Sequence, residues 1–380
     1  MLPTPSVLYY SVKANPHPLL ITTLRTAGCR AEISSIGELE AVLDAGFLGA
    51  DCLYTGPGKT DVEITYALAQ GVRRFSSESA GEMQRLGRAA LAQGTEAVVL
   101  LRVNGAAVGS TGLRMTGAAT QFGVDEAQVL AAPETFTDVP GTRLAGLHLF
   151  PISNARDEGS LVEAIQSNIA LAARLRERAG FPMEILDLGG GFAAPYAHPG
   201  TRPTYPRLRE ELEASLDEQL PGWRTGEVEI AFESGRYLVG DCGRLAATVQ
   251  DIKRSRDQTF VVLDTGINHL GGMTGLGRLA RAAATPETMT GPTETGTLVG
   301  PLCTPADVLG RGVEIPRLTP GDHVIFPNVG AYGLTASLVA FLGRAAPTEV
   351  VLQGPKVLSA TRLSLSHESV TVPDQALELM

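Results

Sequence analysis

The chain has 380 residues, and its 31 lysines and arginines against 41 aspartates and glutamates give a formal net charge of −10. With 44% hydrophobic and 19% charged residues, it can bury enough apolar surface to exclude wholesale disorder. The acidic balance and the lack of a long basic run argue against a nucleic-acid partner, and at about 150 residues per domain the length suggests two domains.

Short β-rich runs recur through the first part of the chain, with helix-like segments between them at residues 37–45, 79–93 and 160–179. Several runs are almost continuously apolar, as expected of strands in a parallel sheet that is covered on both faces. The eight runs lie at residues 7–14, 29–35, 52–56, 73–78, 97–104, 143–150, 183–190 and 228–235. Eight β/α units of this length are the size of a TIM barrel, although a doubly wound sheet uses the same alternation.

The alternation stops near residue 240. Shorter β-like segments follow at residues 259–264, 296–300, 323–327 and 349–352, between loops rich in Gly, Thr and Pro. We therefore expect an α/β fold in which a TIM (β/α)8 barrel domain over residues 1–240 precedes a mostly β domain over residues 241–380. Residues 271–298 contain few bulky side chains and are expected to form a mobile surface loop.

The spacing of the cysteines and histidines indicates whether the protein has a metal site and in which cell compartment it is expected. Cys29, Cys52, Cys242 and Cys303 lie far apart and form no CxxC pair, so neither a zinc knuckle nor a disulfide framework is indicated. No histidine spacing matches HExxH or another paired site, and we expect no catalytic metal. The first residues do not resemble a signal peptide, and no run of 18 apolar residues occurs. These patterns predict a cytoplasmic protein without a membrane partner.

The predicted strands end in polar side chains. In a TIM barrel the catalytic groups lie at the carboxyl ends of the strands, so a closed barrel would bring these side chains to one mouth. They are Lys13 and Asn15, Glu32, Ser76 to Glu78, Arg102 and Asn104, His148, Asp187, and Glu233 to Arg236.

Lys13 lies late in an apolar strand. The plain interpretation is an exposed charge at a strand end. At a barrel mouth, however, desolvation would depress the pKa of this lysine, and a neutral amine can form a Schiff base with an aldehyde.

Three glycines follow the strand that ends at Asp187. Gly189, Gly190 and Gly191 form either a tight turn or a row of N–H groups for an anion. We reject a dinucleotide fingerprint, because Pro195 and the residues after it are poor material for the helix that this fingerprint requires. A P-loop around Gly58 is also rejected, since the position of its first glycine is occupied by leucine.

Glu233 and Arg236 are three residues apart, and they could simply form a salt-bridged strand end. As chemistry, the carboxylate would hold a protonated ring nitrogen, while Gly235 and Arg236 would face a phosphate. His148 is either a hydrogen-bonded histidine of the barrel mouth or a ring that stacks flat on a cofactor.

Taken together, these residues resemble the pyridoxal-phosphate decarboxylases of fold type III, which have an alanine-racemase-like barrel and include diaminopimelate, ornithine and arginine decarboxylases. The resemblance covers about residues 7–355 and rests on motifs in the same order. They are Ser11–Pro16, Thr55–Lys59, Gln121–Gly123, His148, Asp187–Phe192, Glu233–Arg236, Gly300–Asp307 and Gly330–Gly333. Their details are closest to the subgroup used in siderophore, antibiotic and other specialised pathways.

The resemblance implies a role for each motif. Lys13 would carry pyridoxal 5'-phosphate as a Schiff base, His148 would stack on its ring, and Glu233 would pair with the ring nitrogen. The phosphate would be bound by Gly189, Gly190, Gly191, Gly235, Arg236 and Tyr332. Cys303 would reach the site from the other subunit of a head-to-tail homodimer and protonate the quinonoid carbon. Asp307 would contact the substrate, and Ser153 stands near the position where relatives place a Gly-Ser step.

The implied activity is decarboxylation of an amino acid or an amino-acid conjugate, with diaminopimelate, ornithine and lysine among the candidates. Two alternatives stay open, namely an amino-acid racemase or epimerase on the same fold and a non-catalytic pyridoxal-phosphate-binding protein. Members of the family also carry a few dozen residues before the first barrel strand, which add a strand to the second domain. We expect either that the start of the chain is truncated or that the second domain is built differently here.

Overall fold

The strands of the molecule fall into two groups, one in the first 240 residues and one after them. The computed structural model describes residues 1–105, 113–114, 120–273, 283–287 and 292–369. The strands are β1 (Val7–Ser11), β2 (Arg30–Ile33), β3 (Cys52–Tyr54), β4 (Arg74–Ser77), β5 (Ala97–Asn104), β6 (Leu113–Arg114), β7 (Val124–Asp125), β8 (Thr142–His148), β9 (Ile152–Ser153), β10 (Ile185–Asp187), β11 (Glu229–Ser234), β12 (Leu245–Ser255), β13 (Gln258–Leu263), β14 (Thr293–Val299), β15 (Val308–Pro316), β16 (His323–Phe326), β17 (Thr348–Gln353) and β18 (Lys356–Arg362).

Eight parallel strands of the described ranges close into a barrel. Their order is β1, β2, β3, β4, β5, β8, β10 and β11, and β11 pairs again with β1. The predicted TIM barrel is therefore confirmed. A doubly wound sheet is excluded, because such a sheet is open at both edges whereas every strand of this ring has two neighbours.

Helices connect the barrel strands, and side chains cap several of their first turns. The hydroxyl groups of Ser35, Thr60 and Ser79 each accept the N–H of the third residue further on. None of the helices in the described ranges is both long and apolar enough to cross a membrane. The helices are α1 (Pro18–Thr26), α2 (Ile36–Asp44), α3 (Asp61–Ala69), α4 (Ala80–Ala92), α5 (Glu126–Ala131), α6 (Glu134–Thr137), α7 (Glu158–Ala179), α8 (Leu208–Gln219) and α9 (Arg236–Val239).

Trp223 lies in the apolar core between the barrel and its helices. It is 1% exposed and belongs to the same cluster as Leu212 and Leu216 of α8. Its indole Nε1 donates a hydrogen bond to Oδ1 of Asp217 at 2.9 Å. The buried ring therefore has its polar atom satisfied, as large amphipathic side chains in cores require.

The second group of strands forms a five-stranded sheet in the order β15, β14, β13, β12 and β16. Its apolar side chains build a cluster separate from the barrel core, with Leu263, Leu298, Ile315 and Phe326 fully buried. β17 and β18 form a hairpin of their own. The mostly β character predicted for the second part of the chain is therefore confirmed.

The prediction of a surface loop over residues 271–298 is wrong at its C-terminal end. Residues 274–282 and 288–291 of it lie outside the described residues, but β14 begins at Thr293. The strand forms because it pairs with both β13 and β15 and buries Leu298. The small and polar residues of β14 alone did not indicate that it pairs with β13 and β15.

Candidate active site

The strand register brings polar side chains to one level of the barrel. His148 at the end of β8 pairs with Arg102 of β5 on one side and with Asp187 of β10 on the other. All three side chains are buried. The predicted convergence of polar strand ends at one mouth is therefore present in this part of the ring.

Lys13 lies in a short 3₁₀ turn, Val12–Ala14, directly after β1. Its Nζ is 2.8 Å from Oε1 and 2.9 Å from Oε2 of Glu32, which is buried and also accepts the hydroxyl of Thr55. The side chain of Lys13 is 45% exposed. Desolvation lowers its pKa, but the carboxylates of Glu32 and Glu233 outweigh this effect and hold the pKa above its usual value. The expected depression is wrong, because it considered desolvation without these partners.

His148 is held between a hydroxyl and a carboxyl group. Its Nδ1 lies 2.7 Å from Oγ of Ser76, and its Nε2 lies 3.4 Å from Oε1 of Glu233. Burial, followed by the positive charges of Arg102 and Lys13, lowers the pKa of His148 well below its usual value. The imidazole is therefore neutral at physiological pH, with Ser76 fixing its orientation.

Glu233 and Asp187 are buried carboxyl groups with unused acceptor atoms. Among the described residues, Oε1 of Glu233 and Oδ2 of Asp187 have no hydrogen-bond partner. Burial raises the pKa of Glu233 well above its usual value, and the neighbouring carboxylates of Glu32 and Asp187 raise it further. Burial likewise raises the pKa of Asp187 to about 7. Such groups are costly unless a positively charged or donating partner meets them.

The three glycines after Asp187 are required by close packing. A Cβ on Gly190 would strike the backbone carbonyl of Glu233, and a Cβ on Gly191 would lie 2.8 Å from the carbonyl oxygen of Ile152. Gly189 and Gly191 also have φ values of +67° and +104°, which favour glycine. The N–H of Gly189 donates to Oδ1 of Asp187 at 2.8 Å and is therefore already used.

Arg236 and Tyr332 lie together beside the turn that carries Lys13. The Arg236 guanidinium is 4.6 Å from the centroid of the Tyr332 ring, and its buried Nη1 has no partner among the described residues. The N–H of Tyr332 donates to the carbonyl of Ala14 at 2.8 Å. A Cβ on Gly235 would lie 2.7 Å from Cβ of Ala14. Three of the six residues expected at the phosphate, Gly235, Arg236 and Tyr332, thus meet at one place.

The remaining candidates lie outside the barrel strands. Cys303 is exposed. Asp307 is 3% exposed, and both of its carboxylate oxygens accept backbone N–H groups, from Ile267 and Leu302. Asp307 therefore fixes its own loop, and its expected contact with the substrate stays a prediction. Ser153 pairs through its backbone in β9 with Leu113 of β6.

Lys59 supports the His148 side of the site and was not among the expected site residues. It is 3% exposed, and its Nζ donates to the carbonyls of Gly56 and Ser76 and to Oε1 of Glu82 at 2.6 to 2.7 Å. Burial lowers its pKa. Lys59 thus fixes the backbone of Ser76, whose hydroxyl contacts His148. The sequence feature that could have identified Lys59 is its position in the Thr55–Lys59 motif.

Comparisons with known proteins place the chain among one group of enzymes. The family model described as "Pyridoxal-dependent decarboxylase, pyridoxal binding domain" matches residues 1–240. An L-glutamyl-[BtrI acyl-carrier protein] decarboxylase of Niallia circulans is 32% identical, over 91% of this chain and 83% of the relative. A 2-[(L-alanin-3-ylcarbamoyl)methyl]-2-hydroxybutanedioate decarboxylase of Staphylococcus aureus is 31% identical, over 93% and 90%.

A solved structure shows the same likeness in three dimensions. The crystal structure of diaminopimelate decarboxylase from Helicobacter pylori complexed with L-lysine has a TM-score of 0.81 and 25% sequence identity to this chain. The match covers 94% of this chain and 87% of that structure. The barrel and the β unit after it are therefore both included in the likeness.

Proposed function

The chain belongs to the family of pyridoxal-dependent decarboxylases, and we propose that the barrel mouth around Lys13 is its catalytic site. The enzyme uses pyridoxal 5'-phosphate to remove a carboxylate from an amino acid or an amino-acid conjugate. The observation that carries the proposed site is Oε1 of Glu233, a buried acceptor without a partner among the described residues, 3.4 Å from Nε2 of His148.

The residues of the mouth fit this cofactor. A protonated ring nitrogen at Oε1 of Glu233 would favour the ionised carboxylate and oppose the effect of burial on its pKa. Nη1 of Arg236 and Oγ of Ser234 are also buried polar atoms without partners among the described residues, and they suit phosphate oxygens. Gly190, Gly191 and Gly235 carry no Cβ, so their backbone can approach a ligand closely.

When bound, pyridoxal phosphate supplies an electron sink for the negative charge that remains on the α-carbon as carbon dioxide leaves. The chain's own residues then have separate tasks. Lys13 would hold the cofactor through its aldehyde carbon, and Glu32, 2.8 Å from Nζ, would take up and return the lysine proton. Neutral His148, oriented by Ser76, would cover one face of the ring and exclude water.

We further propose that Cys303 returns a proton to the α-carbon after carbon dioxide has left. Its loop is exposed and therefore accessible to a second copy of the chain, in agreement with a homodimer that shares its sites. The four cysteines are free thiols, which supports a reducing, cytoplasmic location.

The substrate class is proposed from the relatives. One curated relative acts on a glutamyl group carried by a protein, and another acts on a carbamoyl-linked alanine derivative. We propose that this enzyme decarboxylates an amino acid that is part of a larger conjugate. A free diamino acid is the second candidate, because the Helicobacter pylori structure holds L-lysine.

The test is a screen for carbon dioxide release by the holoenzyme over diaminopimelate, ornithine, lysine, arginine, glutamate conjugates and carboxylated siderophore precursors. Release from one of them, lost in Lys13→Ala, supports the proposal. Interconversion of stereoisomers without carbon dioxide would identify a racemase. Bound cofactor without turnover of any compound would favour a non-catalytic binding protein.

A further inference from the structure

One buried carboxylate ties down the loop that carries Cys303. Oδ2 of Asp307 accepts the N–H of Leu302 at 2.8 Å, and Oδ1 accepts the N–H of Ile267 at 2.9 Å. The N–H of Gly300 donates to the carbonyl of Asp307 at 3.1 Å and closes the loop. Asp307 therefore joins residues 300–307 to a second segment that begins at Gly266.

The packing around this carboxylate is close. A Cβ on Gly266 would lie 2.6 Å from Oδ2 of Asp307, and a Cβ on Gly300 would lie 2.5 Å from Oδ1. Real Cβ atoms essentially never approach another atom so closely, so both positions require glycine in this arrangement. The backbone at Gly266 and at Gly300 therefore packs directly against the Asp307 carboxylate and confines it to one position.

The segment that Asp307 holds continues to the barrel mouth. The N–H groups of Gly271 and Gly272 donate to the carbonyls of Gly333 and Tyr332 at 3.2 and 2.9 Å. The N–H of Tyr332 donates in turn to the carbonyl of Ala14, next to Lys13. The Cys303 loop and the Lys13 turn are therefore connected through the Asp307 carboxylate, the chain from Ile267 to Gly272 and these backbone hydrogen bonds.

We propose that Asp307 is a positioning residue, which holds the Cys303 loop on residues 266–272 so that the thiol is presented in one place. It acts through backbone N–H groups and replaces the substrate contact that the resemblance implied. The catalytic consequence rests on the proposed function of Cys303, whereas the attachment of the loop does not.

Hydrogen exchange measured by mass spectrometry on the holoenzyme tests the attachment directly. In Asp307→Asn one acceptor oxygen becomes an N–H donor that faces a backbone N–H. We expect exchange to become about tenfold faster in peptides covering both 266–272 and 300–307, since a lost hydrogen bond of this kind corresponds to about that factor. kcat should fall with little change in KM for the substrate or in cofactor affinity.

Two further variants separate positioning from general damage. Gly266→Ala keeps the carboxylate of Asp307 but pushes it out of position. It should therefore reproduce both the faster exchange and the lower kcat, even if Asp307→Asn folds poorly. Asp322→Asn is the matched control, because this carboxylate also accepts a backbone N–H in a turn of the β unit, from Thr319 at 2.7 Å. It should leave exchange in the two peptides and kcat unchanged.

Three results would overturn the proposal. Unchanged exchange with a raised KM in Asp307→Asn would make Asp307 a substrate contact. Faster exchange with unchanged kcat would make the attachment purely structural. Full activity of Cys303→Ala would show that the proposed function of Cys303 is wrong, and with it the catalytic part of this inference, while the exchange data would still report on the attachment.

Discussion

Nζ of Lys13 lies 2.8 and 2.9 Å from the two carboxylate oxygens of Glu32, so that amine and carboxylate form a bidentate pair at the barrel mouth. Together with the carboxylate of Glu233, this pair holds the pKa of the lysine above its usual value, against the effect of desolvation. A protonated amine cannot attack an aldehyde. The covalent capture of pyridoxal phosphate by the empty enzyme should therefore become faster as pH rises through the neutral range.

The first prediction concerns Glu32→Gln. Without this carboxylate, the larger of the two raising effects on the Lys13 pKa is lost, while the effects of Glu233 and of desolvation remain, so the neutral amine is populated at lower pH. The midpoint of the pH dependence of cofactor capture should fall by about 1 to 3 units, the usual effect of one close opposite charge. Stopped-flow recording of the visible band that accompanies capture measures this.

Glu40→Gln is the control for this experiment, since Glu40 is exposed on α2, the helix that follows the strand of Glu32, and its carboxylate accepts the hydroxyl of Tyr66. Its capture profile should match that of the wild type. Equal midpoints in Glu32→Gln and wild type would show that the pair does not govern the protonation of Lys13.

The second prediction identifies the covalent lysine. Lys13→Ala should lose the visible band of the holoenzyme and release its cofactor on gel filtration. Decarboxylation should fall by more than about 100-fold, because positioned acid–base groups contribute roughly 10²- to 10⁴-fold. A visible band that survives gel filtration would show that another lysine binds the cofactor covalently. Lys59, which is buried at the same mouth, would then be the candidate.

The third prediction concerns the hydroxyl that orients His148. Ser76→Ala removes the partner of Nδ1 and leaves the imidazole free to turn. One hydrogen bond contributes roughly 0.5 to 1.5 kcal/mol, so cofactor affinity should fall by about 2- to 10-fold. Equilibrium titration with pyridoxal phosphate measures it, with Ser34→Ala as a control at the same mouth on the Glu32 side. An affinity loss in both variants alike would argue against a specific role for Ser76.

The fourth prediction is a pH dependence of stability in the protein without cofactor. Asp187 has its pKa raised to about 7 by burial, so its folded form favours the protonated carboxyl. The stability contributed by this proton is complete below about pH 4 and is lost as pH rises to about 7, at about 1.4 kcal/mol for each pKa unit. Asp187→Asn keeps the acceptor for Gly189 and carries no charge.

Urea unfolding at pH 5 and pH 8 measures this effect. The Asn variant should gain stability relative to the wild type on going from pH 5 to pH 8. A constant difference between the two proteins at both pH values would show that Asp187 is ionised in the fold.

The fifth prediction separates packing from chemistry in the glycine run. A Cβ on Gly190 would strike the carbonyl oxygen of Glu233, so Gly190→Ala should destabilise the protein by roughly 1 to 3 kcal/mol. Gly58→Ala is the matched control, because its Cβ would meet nothing within 4 Å. Thermal unfolding of both variants without cofactor gives the comparison. Equal stability of the two would contradict the tight packing described for Gly190.

The barrel was predictable because eight β-rich runs alternate with helical segments, several of them almost continuously apolar, and most end in polar residues. The convergence of the strand ends that carry Lys13, His148 and Glu233 was predictable for the same reason, while their roles stay predictions. The Lys13 pKa was predicted in the wrong direction, because Glu32 lies on a different strand and only the closed ring brings the two together. Asp307 shows the same limit, since its partner Ile267 is 40 residues away in the chain.

The one tryptophan of the chain, Trp223, is buried in the barrel core, and none occurs in the β unit. Its emission is therefore a built-in optical reporter of the barrel alone. Denaturation followed by fluorescence would record the loss of the barrel, while circular dichroism would record both units. Noncoincident curves from the two probes would show that the β unit can unfold while the cofactor-binding barrel persists.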